Sequence, residues 1–140
     1  MIERASDGGC FENEAGYCRA VSAAGWISVS STIAPVSGDQ DLASLDTYQQ
    51  TYRALVRGFK AVTELGGAKE TIVRTRVFLA PEASWLQMSY AHQQLFASTP
   101  PANTAHYVHG LIPPGALVEI ELEAIVLNVS GERRADAESA

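Results

Sequence analysis

Residues 45–80, LDTYQQTYRALVRGFKAVTELGGAKETIVRTRVFLA, contain the change of period that decides the fold. Leu45, Tyr48, Tyr52, Leu55, Phe59 and Val62 recur at spacings that alternate three and four, which places them on one stripe of a helix. Asp41 or Ser44 can cap its start, and the Gly66-Gly67 pair ends it. From Thr71 the pattern becomes that of a strand, with β-branched residues at Val73, Thr75 and Val77.

The segments on either side follow the same logic. YCRAVSA (17–23) and WISVSST (26–32) read as two strands joined by an Ala24-Gly25 hairpin turn. Pro81 is expected to open a second helix carrying Trp85, Met88, His92, Leu95 and Phe96. That helix stops ahead of Pro100-Pro101, because the residue before a proline avoids helical geometry. Two strands follow, at about 104–109 and 117–128. The resulting order, β-β-α-β-α-β-β, gives two amphipathic helices and one sheet. Its economical packing is an α+β two-layer sandwich with both helices on one face. The last strand, EIELEAIVL, is read as apolar on both sides, so the second sheet face is expected to meet another subunit.

A chain of 140 residues fits one domain. We place that domain at residues 14–129, between a polar, flexible N-terminal arm (1–13) and a charged tail (130–140). The net charge of −6, with no Lys/Arg cluster beyond GERRAD in the tail, argues against a nucleic-acid partner. No apolar run approaches the roughly 18 residues that span a bilayer, and the charged start does not resemble a secretory signal. Cys10 and Cys18 make no CxxC pair, and free thiols in a reducing cytoplasm are expected. The NVS triplet at Asn128 then has no glycosylation consequence.

Two stretches carry the polar chemistry. In PPANTAHYVHG (100–110), Asn103, Ala105 and Tyr107 share one strand face; in LVEIELEAIVL (117–127), Glu119, Glu121 and Glu123 do the same. A carboxylate row can supply a catalytic base, or it can form a cross-strand ion-pair ladder with Arg74 and Arg76. His106 and His109, three apart on a strand, point to opposite faces, which does not suit a shared metal. No base is placed to activate Cys18.

The blocks GYCRAV, GWISVSSTIAP, YRALVRGFKAVTELGGAKETIVRTRVFLA, MSYAHQQLF, PPANT and LVEIELEAI together resemble the RidA/YjgF family over roughly residues 14–127. The resemblance implies a chorismate-mutase-like α+β fold, a homotrimer, and a small-molecule pocket at each subunit interface. It also implies cofactor-independent hydrolysis of reactive enamines and imines, releasing ammonia and a keto acid. Carried onto this chain, the pocket tyrosine falls on Tyr17, the serine on Ser30 and the water-positioning glutamate on Glu121. The carboxylate-binding arginine of the family falls on Asn103, which lacks both the charge and the bidentate fork. The glycine after the serine is Ser31, and three extra residues lengthen the LIPPGALVE loop.

The candidate site is therefore Glu121 as catalytic carboxylate, with Tyr17, Ser30, Ser31, Asn103, Ala105 and Tyr107 as substrate contacts. Each contact has a structural alternative: a core tyrosine, a strand-end cap, a turn residue after Pro101, or packing at a subunit boundary. The expected activity is a deaminase with a specialised, unsaturated substrate such as an aminomuconate or a biosynthetic intermediate. The alternative is a non-catalytic trimeric binding protein of the same fold.

Overall fold

The computed structural model describes residues 1–9 and 11–127. Among these, six strands form one sheet in the order β1-β2-β3-β6-β4-β5. In chain order the elements are β1 (Ile2–Ala5), α1 (Glu12–Ala15), β2 (Ala20–Ala23), β3 (Trp26–Thr32), α2 (Thr47–Glu64), β4 (Ile72–Leu79), α3 (Trp85–Phe96), β5 (Ala102–Tyr107) and β6 (Val118–Ile125). Neighbouring strands are antiparallel except β4 and β5, which run parallel because α3 crosses between them. The two-layer α+β sandwich expected from the periodicity is the observed architecture.

Helix α2 begins where Asp46 closes a reciprocal capping box with Gln49: its carboxylate accepts from Gln49 N at 2.8 Å, and its own N–H donates to Gln49 Oε1 at 3.0 Å. Asp41 instead caps a short 3-10 turn at Leu42–Ser44, so the helix starts later than either expected cap. At the other end Gly66 has φ of +93°, the left-handed geometry that a glycine supplies without a Cβ clash. Pro81 does not open α3. It lies in a turn closed by Ala83 N–H donating to Ala80 O, and Ser84 caps the helix through Gln87 N.

The core lies between the helices and one sheet face. Leu55 and Val62 of α2 and Phe96 of α3 pack against Ile27, Val77, Val118, Ile120 and Leu122. Gln50, fully buried on α2, ties the loop before β6 to that helix. Its amide nitrogen donates to Leu42 O and Gly115 O at 3.0 Å, and its oxygen accepts from Leu117 N at 2.8 Å.

Two expectations are corrected here. The segment expected as a flexible arm (1–13) carries a strand among its described residues and runs into a short helix at Glu12. Ile2–Ala5 pairs with β2 as the sheet's edge strand, and Asp7 and Glu12 reach back to arginines beneath them. Nor is the last strand apolar on both sides. Period two sends Val118, Ile120, Leu122 and Ala124 into the core, and leaves Glu119, Glu121 and Glu123 on the open face with Arg74 and Arg76. The expected tail, residues 128–129 at the domain's end, Asn128 and Cys10 lie outside the described residues. Among the described residues, no helix is long and apolar enough to cross a membrane.

Candidate functional site

The side-chain period of a strand should send Ser30 and Ser31 to opposite faces. Both nevertheless line one cavity of about 670 Å³. The reason is a bulge: Val29 pairs with Leu122 and Thr32 with Ile120, so two serines on β3 stand against the single residue Glu121 on β6. Tyr17, Glu119 and Glu121 line the same cavity, with Ile112 and Pro113 from the loop that Gln50 secures.

The serines are held in place. Ser30 Oγ donates to Cys18 O at 2.7 Å, and Ser31 Oγ donates to Glu119 Oε2 at 2.7 Å. Each hydroxyl keeps lone pairs that can accept from a ligand.

The glutamate row divides between roles. Arg76 Nη1 donates to Glu123 at 2.6 Å and stands 3.9 Å from Glu121, beyond hydrogen-bond reach. Arg74 takes no glutamate among the described residues and donates to Thr104 Oγ1 instead. Glu119 is engaged by Ser31, and Glu123 by Arg76. Among the described residues, Glu121 alone of the three has no hydrogen bond, and it faces the cavity. The ladder reading therefore holds for Glu123 and Arg76, not for the whole row.

Asn103, Ala105 and Tyr107 are not brought to this cavity within the chain. The parallel register pairs Asn103 with Thr75, Ala105 with Val77 and Tyr107 with Leu79, which places them on the helix side of the sheet, opposite Glu121. Asn103 Nδ2 donates to Thr75 Oγ1 at 2.9 Å, and Thr75 Oγ1 is 2.8 Å from His92 Nε2. Burial holds the His92 imidazole below its ordinary pKa, in its neutral form. Tyr107 accepts from Trp85 N–H and donates to Ala83 O.

Sequence reasoning missed two cationic residues of the cavity wall, Arg19 and Arg57. Arg19 is 3% exposed and its guanidinium carbon lies 5.6 Å from the Tyr17 ring centroid. Its period-two spacing from Tyr17 was the available signal. Arg57 sits on the polar side of the helical stripe, where nothing local distinguishes it. It grips Asp7 through Nε at 2.6 Å and Nη2 at 2.9 Å. That double hydrogen bond lowers the Asp7 carboxyl well below the usual range and raises the Arg57 guanidinium above its own.

The chain's residues 10–126 match the family model described as Endoribonuclease L-PSP. It is 35% identical over 123 residues to the uncharacterized protein SCO2049 of Streptomyces coelicolor, covering 88% of this chain and 91% of that one. This chain belongs to the L-PSP (YjgF) family. The structure of Rv2704 from Mycobacterium tuberculosis, a member of the YjgF/YER057c/UK114 family, is 35% identical and superimposes with a TM-score of 0.77, covering 90% of this chain and 100% of that one. NMB1025 of Neisseria meningitidis, a YjgF-family protein, shares 21% identity and a TM-score of 0.74 over 92% of this chain and 98% of its own. At that identity the second likeness speaks for the fold alone.

Proposed function

We propose that this protein is a hydrolytic deaminase of a reactive imine or enamine, with Glu121 as its proton-transferring carboxylate. The observation that carries this reading is that Glu121 faces the cavity without a hydrogen-bond partner among the described residues, while Glu119 and Glu123 are engaged. A carboxylate so placed can accept a proton from water as the oxygen attacks the C=N carbon. It then returns that proton to nitrogen as the C–N bond breaks. The step balances: R₂C=NH₂⁺ and H₂O give R₂C=O and NH₄⁺, with no redox change. Tyr17, Ser30 and Ser31 line the space the substrate would fill.

The working unit in this reading is a homotrimer with pockets at subunit boundaries. Asn103, Ala105 and Tyr107, which face away from their own chain's cavity, would contribute to a neighbour's. Small-molecule turnover suits an acidic chain better than RNA cleavage, since a net charge of −6 opposes a polyanion. A cytoplasmic setting is consistent with the free Cys18 thiol.

The deciding experiment is an ammonia-release assay, with 2-imino acids generated in situ by an amino-acid oxidase and 2-aminomuconate in a parallel arm. Acceleration over the spontaneous rate that disappears in Glu121→Gln supports the deaminase. No acceleration with either substrate supports the second reading, a metabolite-binding protein. The observation favouring that reading is that Asn103 hydrogen-bonds inward to Thr75 and offers its own cavity nothing.

A further inference from the structure

We infer that the groove along the outer side of α2 is a docking site for a short acidic peptide segment of another protein, with apolar side chains between its acids. The groove, about 810 Å³, runs between α2 and the loop that leaves β3, with Pro35 and Val36 on one side and Tyr52 and Val56 on the other. It belongs to the helix layer, whereas Glu119, Glu121 and Glu123 stand on the opposite sheet face. A homotrimer joined through that face would leave the groove open, and nothing in the inference depends on the deaminase reading.

Helix α2 does not need these residues for its own packing. Its core face carries Ala54, Leu55, Gly58, Ala61 and Val62, and the outer face of such a helix is ordinarily polar. Tyr52 and Val56, one turn apart on that outer face, are instead 39% and 45% exposed, and Val36 across the groove is 42% exposed. The apolar surface continues beyond Tyr52. Its ring stacks on Tyr48 with centroids 6.1 Å apart, and Tyr48 meets the exposed Tyr90 of α3 at 5.6 Å. A contiguous exposed apolar surface rimmed by polar groups marks an interaction site.

Charge selects the partner. Arg53, Arg57 and Lys60 border the groove against one acid, Asp7, in a chain whose net charge is −6. Arg57 is committed to Asp7 and to the Ile33 carbonyl. Arg53 donates through Nη1 to a neutral partner, Gln40 Oε1, at 2.8 Å. Lys60 makes no ion pair among the described residues, Glu64 one turn on included. Arg53 and Lys60 are two helical turns apart, about 10 Å along the axis. An extended chain covers that distance in about three residues. Two acidic residues three positions apart, with apolar residues between them, therefore match both cations and the Tyr52–Val56 floor.

The test is an amide NMR titration of the full chain with the peptide GSELLESG, and in parallel with GSQLLQSG, GSKLLKSG and GSEAAESG. GSELLESG should bind with a Kd below about 1 mM, moving the amides around Val36 and from Tyr52 to Lys60. The other three should bind at least roughly fivefold more weakly, and raised salt should weaken GSELLESG as it screens the two cations. Arg53→Gln, Lys60→Gln and Val56→Ser, all on the surface of α2, should each weaken it several-fold with melting unchanged.

No binding of GSELLESG at about 1 mM overturns the inference, as does equal affinity for GSQLLQSG or GSKLLKSG. Shifts centred on Glu121, with tighter binding in Glu121→Gln, would place the peptide in the other cavity and overturn it too. Tighter binding of a synthetic NVSGERRADAESA, the chain's own residues 128–140, would give the groove to this chain instead. Assembly beyond the trimer that Val56→Ser abolishes would give it to a second copy. Cosedimentation with phosphatidylglycerol vesicles, lost in Lys60→Gln, would give it to a lipid surface.

Discussion

Arg57 of α2 holds Asp7 through two parallel N–H donors, at 2.6 and 2.9 Å, and so fastens the first residues of the chain to a helix fifty positions later. Together with the β1–β2 pairing, this bond makes the N-terminal segment a wall of the cavity.

Asp7→Asn should therefore destabilise the fold by roughly 1 kcal/mol at neutral pH, as expected for a partly exposed bidentate pair. Because Asp7's folded-state pKa is depressed, its contribution is present above the unfolded value of about 3.9 and is lost as the pH falls below it. Urea unfolding at pH 7 and at pH 3 checks this: the gap between wild type and variant should narrow in acid. An equal gap at both would mean that the carboxylate's charge is not what matters.

Glu121→Gln should lower turnover by ~10²–10⁴-fold, the usual worth of a positioned acid–base group, with melting little changed. Its side chain is partly exposed and makes no short ion pair, so little of the fold depends on its charge. Glu123→Gln is the control, since it removes the charge from the 2.6 Å bond to Arg76 and should cost stability rather than chemistry. Similar losses of turnover in both variants would argue against a special role for Glu121.

Gln50→Ala should be severe, on the order of 2–4 kcal/mol, because it takes their side-chain partner from the Leu117 N–H and the Gly115 carbonyl in a buried setting and opens a void. Amide hydrogen exchange should show the loop around Ile112–Leu117 losing protection first. Uniform loss across the sheet would mean that Gln50 acts through general packing.

His92 gives the fold a second acid-sensitive point. Its folded-state pKa is lowered by burial, so stability is complete above the unfolded value of about 6.5 and declines as the pH falls below it. His92→Gln, which can keep a polar contact to Thr75 without titrating, should flatten the stability profile between pH 6.5 and 5. A profile as steep as that of the wild type would place the sensitivity elsewhere.

Much of the fold was legible because its signals are local. The stripe from Leu45 to Val62 and the alternation of Val118, Ile120, Leu122 and Ala124 place apolar side chains at the period of their own element, whatever lies far away in the chain. The later start of α2 and the displaced start of α3 were missed because Asp41, Ser44 and Asp46 are all chemically capable caps, and Pro81 suits a first helical turn as well as Ser84 suits a cap. Only the backbone geometry each adopts selects among them. The N-terminal strand was missed because Ile2–Ala5 has little apolar pattern; its order comes from hydrogen bonds to β2 and from Asp7.

The site divides along the same line. Residue type and alternation identified the glutamate row, because these are local properties; Tyr17, Ser30 and Ser31, and the choice of Glu121 within the row, came from the family resemblance. Which of these share a space was a tertiary decision. The bulge between Val29 and Thr32 turned both serines towards one cavity, and the parallel register of β5 on β4 turned Asn103 away from Glu121. Arg19, in the bend that enters β2, and Arg57, on α2 and 38 positions later, meet beside Gly9 only after the sheet and helix have packed. Period fixes the side of an element on which a residue lies; register, bulges and packing fix what stands opposite it, and those depend on contacts far apart in the chain.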